Sequence, residues 1–154
     1  MNQLFFIFQN TLNEDLFERT CSLLFYLFTH EPTLIGAFLA RGMLPVLLEN
    51  LMQNLSETST QQQHTEEVIY DLVCLLESFS VQPVFFGHLE SNPTQRDQLL
   101  DCVFRLIVHF EESQDILSST VVTLANLGME NEDHALTVLK KGKSSHTFIL
   151  HLIH

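Results

Sequence analysis

The chain has 154 residues, 45% of them hydrophobic, and a formal net charge of −12 from 19 Asp/Glu against 7 Lys/Arg. This much apolar material argues against a disordered chain. The acidity, with no basic stripe along any predicted helix, removes the electrostatic footprint that nucleic acid or an anionic membrane surface requires.

Five Gly, four Pro and no Asn-Gly or Asp-Gly pair point to an all-α chain, and 13 Phe with no Trp point to a core of Leu and Phe. Leu4 to Gln9 reads as a short apolar helix, too short for a signal peptide and without a positive start. Asn13 followed by Glu14 and Asp15 is a helix start, with a capping amide and carboxylates at the positive end of the dipole. That helix is predicted to run to about Phe28. It is amphipathic where Leu12, Leu16 and Phe17 lie and apolar all round from Leu23 to Phe28, which suits an inner position in a stack.

Glu31-Pro32 opens a second helix, Thr33 to Arg41, with Leu34, Ile35, Phe38 and Leu39 at helical spacing and Gly42 as its stop. A third helix starts at Leu44-Pro45 and runs to about Asn54. Residues 55–64 carry no apolar side chain after Leu55 and are expected to form a surface loop. Thr65 to Ser80 then gives another helix with an acidic first turn, Pro83 to Leu89 a short one, and Thr94 to Phe110 a long one. Ile116 to Leu127 is expected to end at Gly128. Asn131 to Gly142 and Thr147 to His154 complete the series. No uninterrupted apolar stretch is long enough to span a membrane.

The order of a long helix, a short helix ending in Gly and a Pro-started helix resembles the armadillo repeat. Gly42-Met43-Leu44-Pro45-Val46-Leu47-Leu48-Glu49-Asn50-Leu51 is similar to that family's Gly-x-x-Pro-x-Leu-x-x-Leu signature, and Thr123-Leu124-Ala125-Asn126-Leu127-Gly128 to its Leu-x-Asn-Leu helix end. The middle unit lacks Gly-x-x-Pro, and the third has Gly142 without a following Pro, so "armadillo-like", shading into HEAT repeats, describes the likeness. It implies a right-handed α-solenoid of about three repeats, at about 13–54, 65–110 and 114–154, in one domain over 1–154, with 1–10 as a remnant or cap helix.

Such a solenoid implies a non-enzymatic protein-interaction scaffold with a concave face for a basic or extended peptide. In groove-binding members an Asn near the end of each inner helix bonds the peptide backbone. Here Asn126 matches that position, and Tyr26 and Ser78 stand at the aligned places on the two earlier helices. Neighbouring Glu77 is a contact for a basic side chain. A basic peptide or protein face is the natural complement of the net charge.

The alternative is a structural or oligomerisation segment of a larger assembly. Both terminal helices are apolar, so Phe5, Phe8, Phe148 and Ile149 would join to a continuation of the solenoid, a second copy or a partner.

Chemistry-bearing motifs are few. Cys21, Cys74 and Cys102 lie in apolar helical runs with no Cys-x-x-Cys spacing, which fits a reducing, intracellular setting, cytoplasmic or nuclear. His146, His151 and His154 lack a further ligand at metal spacing, and no cofactor or metal is expected. Glu66-Glu67 and Glu111-Glu112 fall at helix starts, where the dipole explains them. Lys140, Lys141 and Lys143 sit at a helix C-terminus for the same reason.

Overall fold

A computed structural model describes residues 2–56 and 62–130. Within them the chain forms α1 (Asn2–Asn10), α2 (Glu14–His30), α3 (Leu34–Ala40), α4 (Met43–Ser56), α5 (Gln62–Ser80), α6 (Pro83–Ser91), α7 (Pro93–His109) and α8 (Gln114–Glu130), and no strand. The all-α reading therefore holds for the described residues.

Local chemistry sets most of the boundaries. Asn13 has extended backbone and its side-chain oxygen accepts the Leu16 N–H at 2.9 Å, so one orphan donor of the first turn of α2 is satisfied. Pro83 and Pro93 occupy the first positions of α6 and α7, where a missing N–H costs nothing. Gly42, at φ +86°, is the one described residue in the left-handed region, and there the chain turns 76° from α3 into α4. The turn from α5 into α6 is 94°.

Three boundaries depart from the sequence expectation in ways that matter for the packing. Leu55 and Ser56 belong to α4 and Gln62 to His64 belong to α5, so half of the expected loop is helical. Gly128 does not end its helix. α8 continues through it to Glu130, packed against both α5 and α7, and that packing offsets the roughly 1 kcal/mol that an interior glycine costs relative to alanine. Asn131 to His154 lie outside the described residues, and with them the expected last two helices, Gly142, the lysine cluster, Phe148 and Ile149.

Packing repeats with a step of three helices. α2 lies on α5 and α5 on α8; α3 lies on α6; α4 lies on α7. The facing residues advance together. Phe28 meets Phe79, and Cys21 lies near Asp71, so α2 and α5 run in the same direction. Ser119 meets Glu77 and Asn126 meets Ser80, so α5 and α8 do too.

A chain of phenylalanine rings ties the short helices to the long ones. Phe28 stands edge-on to Phe38 of α3 at 5.2 Å and to Phe79 of α5 at 5.3 Å, and Phe79 meets Phe85 of α6 at 5.8 Å. The rest of the core is mainly Leu, Ile and Val from every helix after α1, with Met43, Cys21, Cys102 and further Phe rings among them. α1 packs on α2 and α3: Phe8, 2% exposed, stacks on Phe17 at 5.5 Å, and Phe5 approaches the edge of Phe38 at 6.3 Å. Both therefore face inward. The apolar side chains that α1 and its turn show to solvent are Phe6 at 66% and Leu12 at 99%.

Candidate binding cleft

Two clefts of similar size open between neighbouring helices. The larger, about 510 Å³, lies between the ends of α4 and α7 and is lined by Met52, Leu55, Phe104, Arg105, Val108 and His109 as well as Ser56. Its rim at Ser56 borders residues outside the described set, and none of the described sequence-predicted site residues lines it. The other, about 470 Å³, lies between α2 and α5 and holds two of them, Glu77 and Ser78. It is the candidate site for that reason, although it is the smaller.

The walls of this cleft come from one face of each helix. α5 contributes Tyr70, Cys74, Glu77 and Ser78 from one face, and the turn that follows it contributes Val81 and Gln82. The end of α2 contributes Phe25, Phe28 and Thr29, with Pro32 just beyond. Phe28 is buried and forms the floor. Phe25, Tyr70 and Val81 face solvent, Val81 at 59%. Large apolar side chains left in water around a concavity mark a surface suited to a partner.

The polar groups here are mostly occupied within the chain. The Ser78 hydroxyl donates to the Cys74 carbonyl at 2.9 Å and the Thr29 hydroxyl to the Phe25 carbonyl at 2.8 Å. The Ser119 hydroxyl, from α8, donates to the Glu77 carboxylate. The Asn126 amide donates to the Ser80 hydroxyl at 3.0 Å, and that hydroxyl donates in turn to the Glu77 carbonyl at 2.7 Å. Asn126 thus belongs to the α5–α8 contact, half-buried. Tyr26 stands apart from the cleft: it is 58% exposed, its ring stacked on His30 at 4.1 Å, and its carbonyl accepts from His30 Nδ1 at 2.9 Å. It lies about 100° around α2 from Phe25, on the solvent face.

Phe25, Tyr70, Cys74 and Val81 were not among the site residues expected from the sequence. The spacing of 70, 74, 77 and 78 was a usable signal, because it places these residues on one face of α5.

The thiols are held in their protonated form. The Cys74 thiol, half-buried, is held above its ordinary range chiefly by desolvation. Its hydrogen bond with Tyr70 pushes the phenol up, with the charges of Asp115 and Glu77 acting in the same direction. Burial likewise pushes Cys21 up and Cys102 up to about 12. All three thiols are protonated near neutrality and are poor nucleophiles. Among the described residues no three His, Cys, Asp or Glu side chains gather as a metal site. No described helix by itself is long and apolar enough to cross a membrane.

Acidity is concentrated on the helices that meet at the cleft and their neighbour. α2 carries Glu14, Asp15 and Glu18; α5 carries Glu66, Glu67, Asp71 and Glu77; α8 carries Asp115 and Glu130; Arg19 is the one Lys or Arg among them. α4 and α7 together carry Glu49, Asp97 and Asp101 beside Arg96 and Arg105. On the α2–α5 seam the Asp71 carboxyl is pushed up to about 6, by burial first and then by the charges of Glu18 and Glu67.

No family model, curated protein or solved structure matches this chain.

Proposed function

We propose that the chain is a segment of an armadillo-like α-solenoid acting as a non-enzymatic scaffold, and that it binds a protein or extended peptide on the surface formed by α2, α5 and α8. The observation that carries this reading is the three-helix step in the packing: each helix lies on its counterpart one unit later. On this reading α2–α3–α4 and α5–α6–α7 are two units, and α8 opens a third. Long helices stacked in parallel present a continuous face, and such faces serve as extended binding surfaces. The concentration of acid on those helices supports a basic partner. The three free thiols support a reducing, intracellular setting, cytoplasmic or nuclear.

The test is hydrogen-exchange footprinting of the full chain with a partner bound. Protection of the exposed positions of α2, α5 and α8 is the expected result. Protection confined to α4 and α7 overturns the assignment.

A second reading, an assembly segment, draws support from Phe6 and Leu12, which stand in water at the α1 end. Sedimentation of the full chain across a concentration series checks it. Self-association that is lost in Phe6→Ser, Leu12→Ser supports it, and a monomer at every concentration removes its self-association form.

A further inference from the structure

Resting on that reading of the α2/α5/α8 face, we propose that the α2–α5 cleft takes one bulky apolar side chain of a basic partner segment, while Glu77 at its wall holds a neighbouring Lys or Arg. Capture then runs on apolar burial and one ion pair, and not on a ladder of side-chain bonds to the partner backbone.

Two observations lead here. The first concerns which groups remain unsatisfied. A backbone ladder needs side-chain amides or hydroxyls turned outward at the helix ends. In this chain the Ser78 and Thr29 hydroxyls are turned back onto their own helices, and the Asn126 amide bonds Ser80 across to α5. What stays uncompensated is hydrocarbon: Phe25, Tyr70 and Val81 surround a cavity of about 470 Å³ floored by Phe28. Desolvating that surface favours binding, and an apolar anchor in a preformed pocket is how small interfaces concentrate their energy.

The second concerns charge and position. Glu77 lines the same cleft and is fixed there by the Ser119 hydroxyl, so its orientation is set before a partner arrives. Asp115 and Glu77 both act on Tyr70, so the α8 side of the cleft is acidic as well. A carboxylate held at the lip of an apolar pocket selects a cationic neighbour and repels an acidic one.

The experiment pans a random peptide library of about twelve residues against the full chain, then measures the enriched peptides by fluorescence anisotropy. The expected winners carry Phe, Leu, Ile or Met within about two positions of Lys or Arg, close enough for both side chains to reach one cleft. Replacing the apolar anchor by Ser weakens binding about tenfold or more. On the protein side, Val81→Lys alters an exposed residue, so the fold survives, and it lowers affinity at least as much. Glu77→Gln, which still accepts the Ser119 bond, lowers affinity about three- to tenfold at low salt and removes the preference for Lys or Arg.

Winners without an apolar anchor, or binding indifferent to Val81→Lys, overturn this inference. In the second case Val122→Lys on α8 separates the two levels. Loss of binding there leaves the α2/α5/α8 face in place with a different anchor point. Indifference to both substitutions removes the face as well. Enrichment of acidic peptides, or of none, also overturns the inference.

Discussion

α5 is held by its two neighbours in different ways. Against α2 it is joined at the core by rings, Phe28 on Phe79, and the upper part of that seam gapes into the cleft. Against α8, which adds Ile116, Leu124 and Leu127 to the core, it is joined by side-chain hydrogen bonds as well, Ser119 to Glu77 and Asn126 to Ser80. Aromatic packing is non-directional and tolerates a gap beside it. Polar contacts are short, directional and costly to leave unmade, so they draw the two helices together along their length. The same helix thus borders an apolar cleft on one side and a hydrogen-bonded contact on the other.

Breaking the ring seam is expected to have the largest effect. Phe79 is fully buried and touches Phe28 and Phe85, so Phe79→Ala is expected to cost about 3–5 kcal/mol. Urea unfolding measures it, and a loss below about 1 kcal/mol would show that α2 and α5 are not joined there. On the polar seam, Ser119→Ala leaves the half-buried Glu77 carboxylate without its hydroxyl partner and is expected to cost about 1.5–3 kcal/mol.

Asn126→Ala is smaller, about 1 kcal/mol, because its partner Ser80 keeps its bond to the Glu77 carbonyl. A double-mutant cycle with Ser80→Ala isolates the pair, and zero coupling would place Asn126 outside the α5–α8 contact.

The smallest effect is electrostatic and belongs to the α2 side. The folded Asp71 carboxyl titrates near 6, above the ordinary value for the unfolded chain, so the folded state binds a proton more readily. Its cost to stability is present in full above pH 6, shrinks as pH falls through 6 towards 4, and changes no further once both states are protonated. The group is partly solvated, which limits the gain to about 1 kcal/mol or less. Thermal melts of the wild type and Asp71→Asn between pH 5 and 7.5 check the sign. Asp71→Asn is expected to be the more stable at pH 7.5, with the difference narrowing as the pH drops.

How far the sequence reached depended on whether the cause was local. Asn13, Gly42, Pro83 and Pro93 act through their own backbone or a partner three residues away, and the boundaries they set were legible. The cleft was legible on one wall only. Glu77 and Ser78 sit on an amphipathic helix, where buried positions orient the remainder. The C-terminal half of α2 gave no such direction, because Leu23 to Phe28 is apolar on every side. Matching helix ends selected Tyr26, and the packing of α5 against α2 put Phe25 at the cleft instead.

From the chain alone came the helices, most of their ends and the acidity of the α2, α5 and α8 segments. These follow from side-chain spacing, capping and charge, which act within a turn or two. Tertiary packing decided which side of α2 faces the cleft, that Asn126 meets Ser80, that Phe8 lies inside, and that α8 runs past Gly128. Each of these depends on groups distant in sequence and brought together only by folding, where burial and hydrogen bonding outweigh local preference.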